Sequence, residues 1–453
     1  MKTIAAISTA QAAGGIGIVR ISGEDAVKIA DAVFDGVSGE SLISSGGYRA
    51  HYGHIKDEQG VIDEGVALVF RKPKSYTGED VVEISCHGGI YITRRVLRAV
   101  LSSGAELAGA GEFTRRAFIN GKMSLTSAEA VMDLIGAQSA QAARCALAGR
   151  EGALQEKIVQ IRSDLTDLCS HLSAWADFPE EEVEEVSSEE LITGFTSAID
   201  EISKLIEQFE AGKAVREGVD TVILGRPNVG KSTLMNLLAG CERSIVTDVA
   251  GTTRDVVEET VRVGDVILRL ADTAGLRETN DPIEQIGVER AKKRMQSAGL
   301  ILAVFDASRE LDAEDESLVD QAKGRAAVAI INKTDLPQKI DEQYIKAGFK
   351  HIVYTSAAKK QGIDELAAAI SEELGTSALN PDDGILYTER QRAAATKAKQ
   401  SLEEARDAVI CGVTFDAVTV LAQTAVEALF ELTGELASEE IVDAVFERFC
   451  VGK

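Results

Sequence analysis

Nine residues in mid-chain constrain the fold more than any others: Gly225-Arg226-Pro227-Asn228-Val229-Gly230-Lys231-Ser232-Thr233. Their spacing is Gly, four residues, then Gly-Lys-Ser. Glycines so placed let backbone N–H groups turn inward around phosphate oxygens. Lys231 then supplies a point charge for the β- and γ-phosphates, and the Ser232 hydroxyl can ligate Mg²⁺. The flanks fit this chemistry. Thr221-Val222-Ile223-Leu224 predicts a buried strand entering the loop. Ser232 to Leu238 predicts a helix leaving it, its positive end on the phosphates.

Residues 216–375 continue as strands alternating with helices, with strands expected at 221–224, 266–271, 300–305, 327–331 and 351–354. That alternation predicts a doubly wound α/β domain. Polar motifs follow the strands in a set order. Asp272-Thr273-Ala274-Gly275 comes after the strand at 266–271. An Asp there holds Mg²⁺ through water, and the Gly275 N–H senses a γ-phosphate. Gly251-Thr252-Thr253-Arg254-Asp255 stands where a switch loop belongs, with Thr253 the second Mg²⁺ ligand. Asn332-Lys333-Thr334-Asp335 follows the strand at 327–331. The Asp335 carboxylate matches the paired N–H donors on the Watson–Crick edge of guanine, a pattern adenine lacks. Asn332 is expected to brace the base pocket and the Lys333 stem to cover the ring. Thr355-Ser356-Ala357 is expected to offer a backbone N–H to the guanine oxygen. Together these motifs predict a GTP hydrolase and exclude ATP specificity. One position departs from the usual catalytic set: Leu276 stands where a water-orienting Gln follows Asp-x-x-Gly. Leu276 cannot hydrogen-bond, so hydrolysis must recruit other groups.

At 453 residues the chain predicts about three domains. Its net charge of −25 argues against nonspecific nucleic-acid binding through bulk charge. The charge is uneven. Residues 1–122 hold 14 Lys and Arg against 14 Asp and Glu, so an anionic ligand is best met there or at local patches. The six cysteines include no Cys-x-x-Cys pair, so neither a zinc site nor a disulfide framework is indicated, and a reducing cytoplasm fits. The apolar run at Met1–Ile7 is short and is interrupted by Ser8, Thr9 and Gln11. A strand-like Ile16–Ile21 follows, so the start is not read as a secretion signal. No apolar stretch approaches the ~18 residues of a membrane span.

Residues 1–120 predict a compact α+β domain, with strands at 16–21, 66–70 and 81–85 and a helix carrying Arg94, Arg95 and Arg98. Beyond it, Leu154, Ile158, Ile161, Leu165, Leu168, Leu172 and Trp175 form a heptad seam. Pro179 and the acidic Glu180-Glu181-Glu182 end that seam, and Glu180–Glu185 reads as a solvated turn. A second seam follows at Ile192, Phe195, Ile199, Ile202, Ile206 and Phe209, predicting two antiparallel helices. Residues 385–449 are helical again without a Gly-Pro linker. Residues 121–215 and 376–453 are therefore expected to form one helical domain, with the α/β domain at 216–375 inserted in it.

The motif order, the inserted placement and the two ends resemble the MnmE (TrmE) family of tRNA modification GTPases, over essentially the whole chain. The most specific elements are Gly14-Gly15-Ile16-Gly17-Ile18-Val19-Arg20-Ile21-Ser22-Gly23, Tyr76-Thr77-Gly78-Glu79-Asp80 and His87-Gly88-Gly89. Gly111-Glu112-Phe113-Thr114-Arg115-Arg116-Ala117-Phe118, Asp177-Phe178-Pro179 and Phe449-Cys450-Val451-Gly452-Lys453 complete them.

The resemblance implies a GTP site in several pieces. These are Asn228, Val229, Gly230, Lys231, Ser232 and Thr233; Thr247, Asp248, Val249, Ala250, Gly251, Thr252 and Thr253; Asp272, Thr273, Ala274 and Gly275; Asn332, Lys333 and Asp335; and Ser356, Ala357 and Ala358. It implies K⁺-activated hydrolysis, which accounts for Leu276. Asn228, backbone oxygens at Thr247 and Val249, and a contact from Thr252 cage K⁺ in the place of an arginine finger. Lys231 acts on the phosphates, and Glu284 in the second switch orients water through a bridging water. Pro282, two residues earlier, departs from the family pattern.

The resemblance also implies that the N-terminal domain binds 5-formyltetrahydrofolate through Arg20, Glu83, Lys122 and Lys453. A pterin edge suits a carboxylate, and the glutamate tail suits Arg and Lys. Residues 10–13 are Ala-Gln-Ala-Ala where the family has a Pro/Gly-rich turn. Cys450 lies near the folate site in this family, and a neighbouring cation such as Lys453 favours thiolate. Nucleophile, acid/base group and structural element all stay open for it. The implied function is GTP-driven modification at C5 of the wobble uridine in certain tRNAs, by a carboxymethylaminomethyl- or aminomethyl-type group. The implied assembly is a homodimer working with an FAD-dependent MnmG (GidA)-like partner in a heterotetramer or larger complex in the cytoplasm.

Two other classes compete. Ribosome-assembly or RNA-associated switch GTPases usually carry a basic RNA-binding appendage, whereas this C-terminal segment is acidic and has no Gly-x-x-Gly loop with basic flanks. A non-enzymatic scaffold with a degenerate folate pocket is the other, and folate binding separates it.

Overall fold

The computed structural model describes residues 1–177, 187–240, 259–270 and 298–452. The chain forms two compact units, one of residues 1–132 with 430–453 and one of residues 133–429.

In the first unit, seven described strands form one sheet in the order β3-β4-β5-β6-β2-β1-β7. They are β1 (Ile4–Ile7), β2 (Ile16–Ser22), β3 (Phe34–Gly36), β4 (Arg49–Asp57), β5 (Gly60–Phe70), β6 (Val81–His87) and β7 (Glu106–Leu107). Side chains alternate between faces along a strand. Val19 and Ile21 of β2, Val82 and Ile84 of β6, and Ala67 and Val69 of β5 point to one face and are buried. The helices Ala26–Ala32 and Ile90–Ser102 close that face with Val27, Ile29, Val96 and Val100. The register Arg20↔Glu83 and Leu68↔Glu83 puts Arg20, Glu83 and Leu68 on the other face. Tyr52 and Val66, opposite one another, share it and stay 54% and 37% exposed.

β1 coincides with the short apolar run at the chain's start, which the strand expectations leave out. Ala5 and Ile7 face one core, Ile4 and Ala6 another with Ala108 and Phe113. Buried on both faces, Ile-Ala-Ala-Ile shows no alternation to read. The last described residues return to this sheet. Val451 bridges to Ala110, and Ser8 Oγ donates to the Gly452 carbonyl at 3.1 Å. Gly452 has φ +98°, and a Cβ there would run into the backbone of Ile7 and Ser8.

In the second unit, six described strands run β13-β12-β11-β8-β10-β9. They are β8 (Val219–Leu224), β9 (Glu259–Val263), β10 (Val266–Leu270), β11 (Leu300–Asp306), β12 (Ala327–Asn332) and β13 (His351–Tyr354). All pairs are parallel except β9 with β10. Every residue of β11 is buried, as a strand covered on both faces must be. All five expected strands are present. β9 is the addition, an edge strand turned back through Gly264 at φ +61°.

The helices of this unit include Ala153–Asp177, Ser188–Glu207, Phe209–Glu217 and Glu389–Ile410. Leu154, Ile158, Ile161, Leu165 and Leu172 of the first seam are buried, with Leu168 half-buried. The Trp175 side chain, Pro179 and Glu180–Glu185 lie outside the described residues. The second seam is rotated from expectation. Leu191, Phe195, Ala198, Ile199, Ile202 and Leu205 are buried, whereas Ile192 and Ile206 are half-buried. The cause is a second neighbour: Ser188–Glu207 packs more extensively along Glu389–Ile410 than along Ala153–Asp177. Among the described residues, no helix is long and apolar enough to cross a membrane.

Candidate functional site

The phosphate loop leaves β8 at Gly225 and enters the helix Lys231–Gly240, which Leu234 and Leu238 anchor in the sheet core. Gly225 has φ +147°, and the Val304 carbonyl occupies the space a Cβ would need. Gly230 has φ +102°, and the Asn332 amide stands in the corresponding place. Neither position admits a side chain unless the loop opens. Asn228, also left-handed at φ +65°, is exposed at the loop tip, while Val229 is fully buried beneath it. Ser232 and Thr233 are exposed on the first helical turn. Lys231 Nζ donates to the carbonyls of Gly225 and Arg226, each at 2.7 Å, and burial lowers its pKa. The ammonium is thus folded back over its own loop.

Asn332 ends β12 and is 2% exposed. Its Nδ2 donates to the Val229 carbonyl at 2.9 Å. Its Oδ1 accepts from Thr355 Oγ1 at 3.2 Å and from the Ala357 N–H at 3.1 Å. One buried amide therefore ties the phosphate loop to the loop after β13. Lys333, left-handed at φ +64°, donates to the Asn228 carbonyl and to Asp306 Oδ2, both at 2.6 Å. Burial acts to raise the Asp306 pKa, but hydrogen bonds from Lys333 and Ser308 outweigh it and hold the carboxyl below its ordinary value. Asp335 is exposed at the rim. Ser356 Oγ donates to it at 2.7 Å and is the main cause of its lowered pKa. Ala357 is buried and Ala358 exposed in the short turn that follows.

The structure thus gathers Asn228, Val229, Lys231, Asn332, Lys333, Ser356 and Ala357 around one loop. Thr247, Asp248, Val249, Ala250, Gly251, Thr252, Thr253, Asp272, Thr273, Ala274, Gly275, Leu276, Pro282 and Glu284 lie outside the described residues. The sequence reading missed Asp306 and the ion pairs of Arg226 with Asp312 and with Glu314, the latter at 3.1 Å. A legible signal existed for Asp306: a carboxylate at the C-terminal end of an all-apolar strand, where open α/β sheets bind ligands.

In the first unit, Arg20 Nε donates to Glu83 Oε1 at 2.8 Å and Nη1 to the Gly452 carbonyl at 3.3 Å. The side chains are 14% and 21% exposed. The guanidinium lies 5.5 Å from the Tyr76 ring centre and 5.6 Å from that of Phe113. Lys122 is exposed, and its Nζ reaches the Pro73 carbonyl at 3.2 Å on the loop that carries Tyr76. Cys450 is exposed, its carbonyl accepting from the Gly111 N–H at 3.4 Å. Lys453 lies outside the described residues.

The family-specific motifs build the frame around this pair. Arg116, 5% exposed, binds Glu79 at 3.0 Å and Glu112 at 2.8 Å. Ser22 Oγ donates to Glu79 at 2.8 Å, and the Tyr76 hydroxyl meets Thr114 Oγ1 at 2.9 Å. These contacts hold the 76–80 loop against β2 and the helix Glu112–Ile119. Gly88 approaches the backbone of Gly14 and Ile16 so closely that a Cβ would collide with it. Beside it, Asp63 accepts from the His87 backbone N–H and ring at 2.8 Å each. These bonds raise the His87 pKa and, against burial, lower that of Asp63.

Comparison with known proteins gives two family matches that together span nearly the whole chain. Residues 3–122 match the family described as GTP-binding protein TrmE N-terminus, and residues 125–450 match the MnmE helical domain. A tRNA modification GTPase MnmE of Lactobacillus helveticus is 43% identical over 456 residues, covering 100% of this chain and 98% of that protein. One from Thermoanaerobacter pseudethanolicus is 42% identical over 457 residues, covering 100% and 99%. One from Bacillus pumilus is 43% identical over 460 residues, covering 100% of both. Among solved structures, the FeoB G-domain of Methanococcus jannaschii aligns with 35% of this chain and 98% of its own, at 27% identity and a TM-score of 0.25.

Proposed function

The chain belongs to the MnmE family of tRNA modification GTPases, and from that premise we propose how its two sites divide the work. The chain is a GTP hydrolase acting in tRNA modification. In the proposal, hydrolysis is K⁺-activated and drives installation of a carboxymethylaminomethyl- or aminomethyl-type group on C5 of the wobble uridine. A tetrahydrofolate bound in the N-terminal domain provides the one-carbon unit, and an FAD-dependent MnmG-like protein is the partner, in the cytoplasm. Residues 1–120 form the folate and dimerisation domain, 121–215 with 376–453 the helical domain, and 216–375 the inserted GTPase domain.

The observation that carries the one-carbon half is the largely buried Arg20–Glu83 pair, its guanidinium set against the Tyr76 ring. A flat heteroaromatic ligand needs an aromatic neighbour, a carboxylate for its N–H edge and a cation for its acidic tail. Glu83 would accept from the ring edge, and Arg20 and Lys122, with Lys453, would meet the tail. Cys450 and Gly452 adjoin this pair through the returning tail, which supports a place for Cys450 at the rim. Tyr52 and Val66, exposed on the same sheet face, support a homodimer through this domain.

In the GTPase half, Asp335 reads the guanine edge, Asn332 braces its loop and Lys231 meets the phosphates. Ser232, with Thr253, would hold Mg²⁺. Asn228, with Thr247, Val249 and Thr252, would hold K⁺. Ions held there would supply positive charge against the charge developing on phosphoryl oxygens. Glu284 would orient the attacking water in place of a Gln at Leu276.

Calorimetric titration with 5-formyltetrahydrofolate tests the one-carbon half. Binding is expected for the wild type and weakened at least ~10-fold in Arg20→Ala and Glu83→Gln, as for loss of a charge-assisted hydrogen bond. A wild type that binds no folate overturns this half.

A further inference from the structure

A tRNA-modifying protein must hold a polyanion, yet this chain carries a net −25. Several basic side chains of the first unit are already neutralised. Arg71 pairs with Asp80, Arg95 with Asp57, Lys56 with Asp35, and Arg116 with Glu79 and Glu112. Four others stand on neighbouring segments without a carboxylate partner among the described residues: Arg49, Lys72, Lys74 and Lys122, all exposed.

Backbone contacts stitch these four together. Arg49 opens β4 and pairs with Val69 of β5, two residues before Arg71. Arg71 donates from Nε to the Ser45 carbonyl at 3.2 Å and from Nη2 to that of Ile43 at 2.7 Å, pinning the loop ahead of Arg49. The Lys74 N–H bonds to the Arg71 carbonyl at 2.9 Å, and Lys122 Nζ reaches Pro73. Asp80, a carboxylate of this loop, is occupied by the Arg71 guanidinium and the Lys72 N–H at 2.8 and 2.9 Å. Next to Arg49 in the chain, Tyr48 stands 64% exposed, its ring set edge-on against Phe70 at 5.5 Å. Unpaired cations on the segments beside a fixed, exposed aromatic ring suit a nucleic-acid backbone and an unstacked base.

We propose that Tyr48, Arg49, Lys72 and Lys74, continued by Lys122, form the surface on which tRNA docks. The patch leads to the Arg20–Glu83 pair: Tyr76, two residues beyond Lys74, lies against Arg20. Docking here brings the anticodon to the one-carbon site, and in that respect the proposal rests on the folate reading. A second basic stripe, Arg94 and Arg98 beside Tyr91, is exposed on the helix Ile90–Ser102. It serves as the comparator.

The test is direct binding of an unmodified tRNA transcript to the full-length protein across a salt series, without folate. The triple variant Arg49→Ala, Lys72→Ala, Lys74→Ala is expected to bind roughly 50- to 150-fold more weakly at about 0.15 M salt. The slope of log affinity against log salt should shrink by about 2 to 3, near one per lost phosphate contact. All three side chains are exposed, and circular dichroism verifies folding. Arg94→Ala with Arg98→Ala is expected to change affinity less than about 3-fold. Unchanged tRNA affinity in the triple variant overturns the proposal, as does a larger loss in the comparator. Loss of affinity for polyglutamylated tetrahydrofolate alone, with tRNA binding intact, assigns the patch to the folate tail and also overturns it. A wild type that binds tRNA but no folate refutes the one-carbon reading and leaves the docking measurement valid.

Discussion

Asn332→Ala is the substitution that most sharply tests how the nucleotide site is held. The side chain is 2% exposed and makes three hydrogen bonds, to Val229, Thr355 and Ala357. Those partners are themselves 0%, 0% and 5% exposed, so truncation strands them away from solvent. Each bond contributes about 1 kcal/mol net, and each stranded group costs about 1–3 kcal/mol when left unmet. Water entering the vacated space recovers part of this. The expected cost is therefore about 3 kcal/mol, roughly a hundredfold in equilibrium. Hydrogen exchange of the β12 amides reads this locally, which matters because a chain of several domains need not unfold in one step. Thr355→Val removes only the 3.2 Å contact and should cost about 1 kcal/mol. GTP affinity should fall in the same order, since the amide holds the phosphate loop. A cost below about 1 kcal/mol for Asn332→Ala, or one no larger than for Thr355→Val, refutes the brace.

Three other outcomes are expected. Asp335→Asn should weaken GTP and favour xanthosine nucleotides, because guanine loses its carboxylate partner; unchanged GTP affinity in competition binding refutes base reading. GTP turnover should rise strongly when K⁺ replaces Na⁺, as Leu276 and Asn228 imply, and equal rates in the two salts refute a K⁺ role. The Asp63–His87 contact should make stability depend on pH. Asp63 has a depressed pKa, so its contribution is present above the unfolded value near ~3.9 and is lost as pH falls through the folded one. His87 has a raised pKa, so its contribution is present below ~6.5 and is lost as pH rises through the folded value. The melting difference between wild type and Asp63→Asn should therefore be largest between about pH 4 and 6.5 and shrink toward pH 8. A difference that grows with pH contradicts the pairing.

What was legible in the sequence was local. The phosphate loop needs Gly225 and Gly230 because backbone geometry within six residues demands them, and the strand–loop–helix order announces it. Asn332 and Asp335 follow a strand at a fixed offset, so their loop was legible too. What was not legible depends on contacts far apart in the chain. The place of Asp306 at a strand end could be read, but its ion pair could not, because Lys333 arrives beside it from the next strand. Arg116, Glu79 and Ser22 stood in recognisable motifs, but nothing in the spacing showed that they meet one another. The helix Ser188–Glu207 turned its buried face because Glu389–Ile410, some two hundred positions on, packs along it. The strand at Ile4–Ile7 was hidden by burial on both sides.

The central claim is that this chain couples GTP hydrolysis to one-carbon modification of the wobble uridine. Mass spectrometry of tRNA nucleosides from cells lacking the protein tests it most directly, with complementation by the wild type and by Lys231→Ala. The account predicts that C5-aminomethyl-type wobble nucleosides disappear, return with the wild type and stay absent with Lys231→Ala. An unchanged nucleoside profile in the deletion, or full restoration by Lys231→Ala, would contradict it.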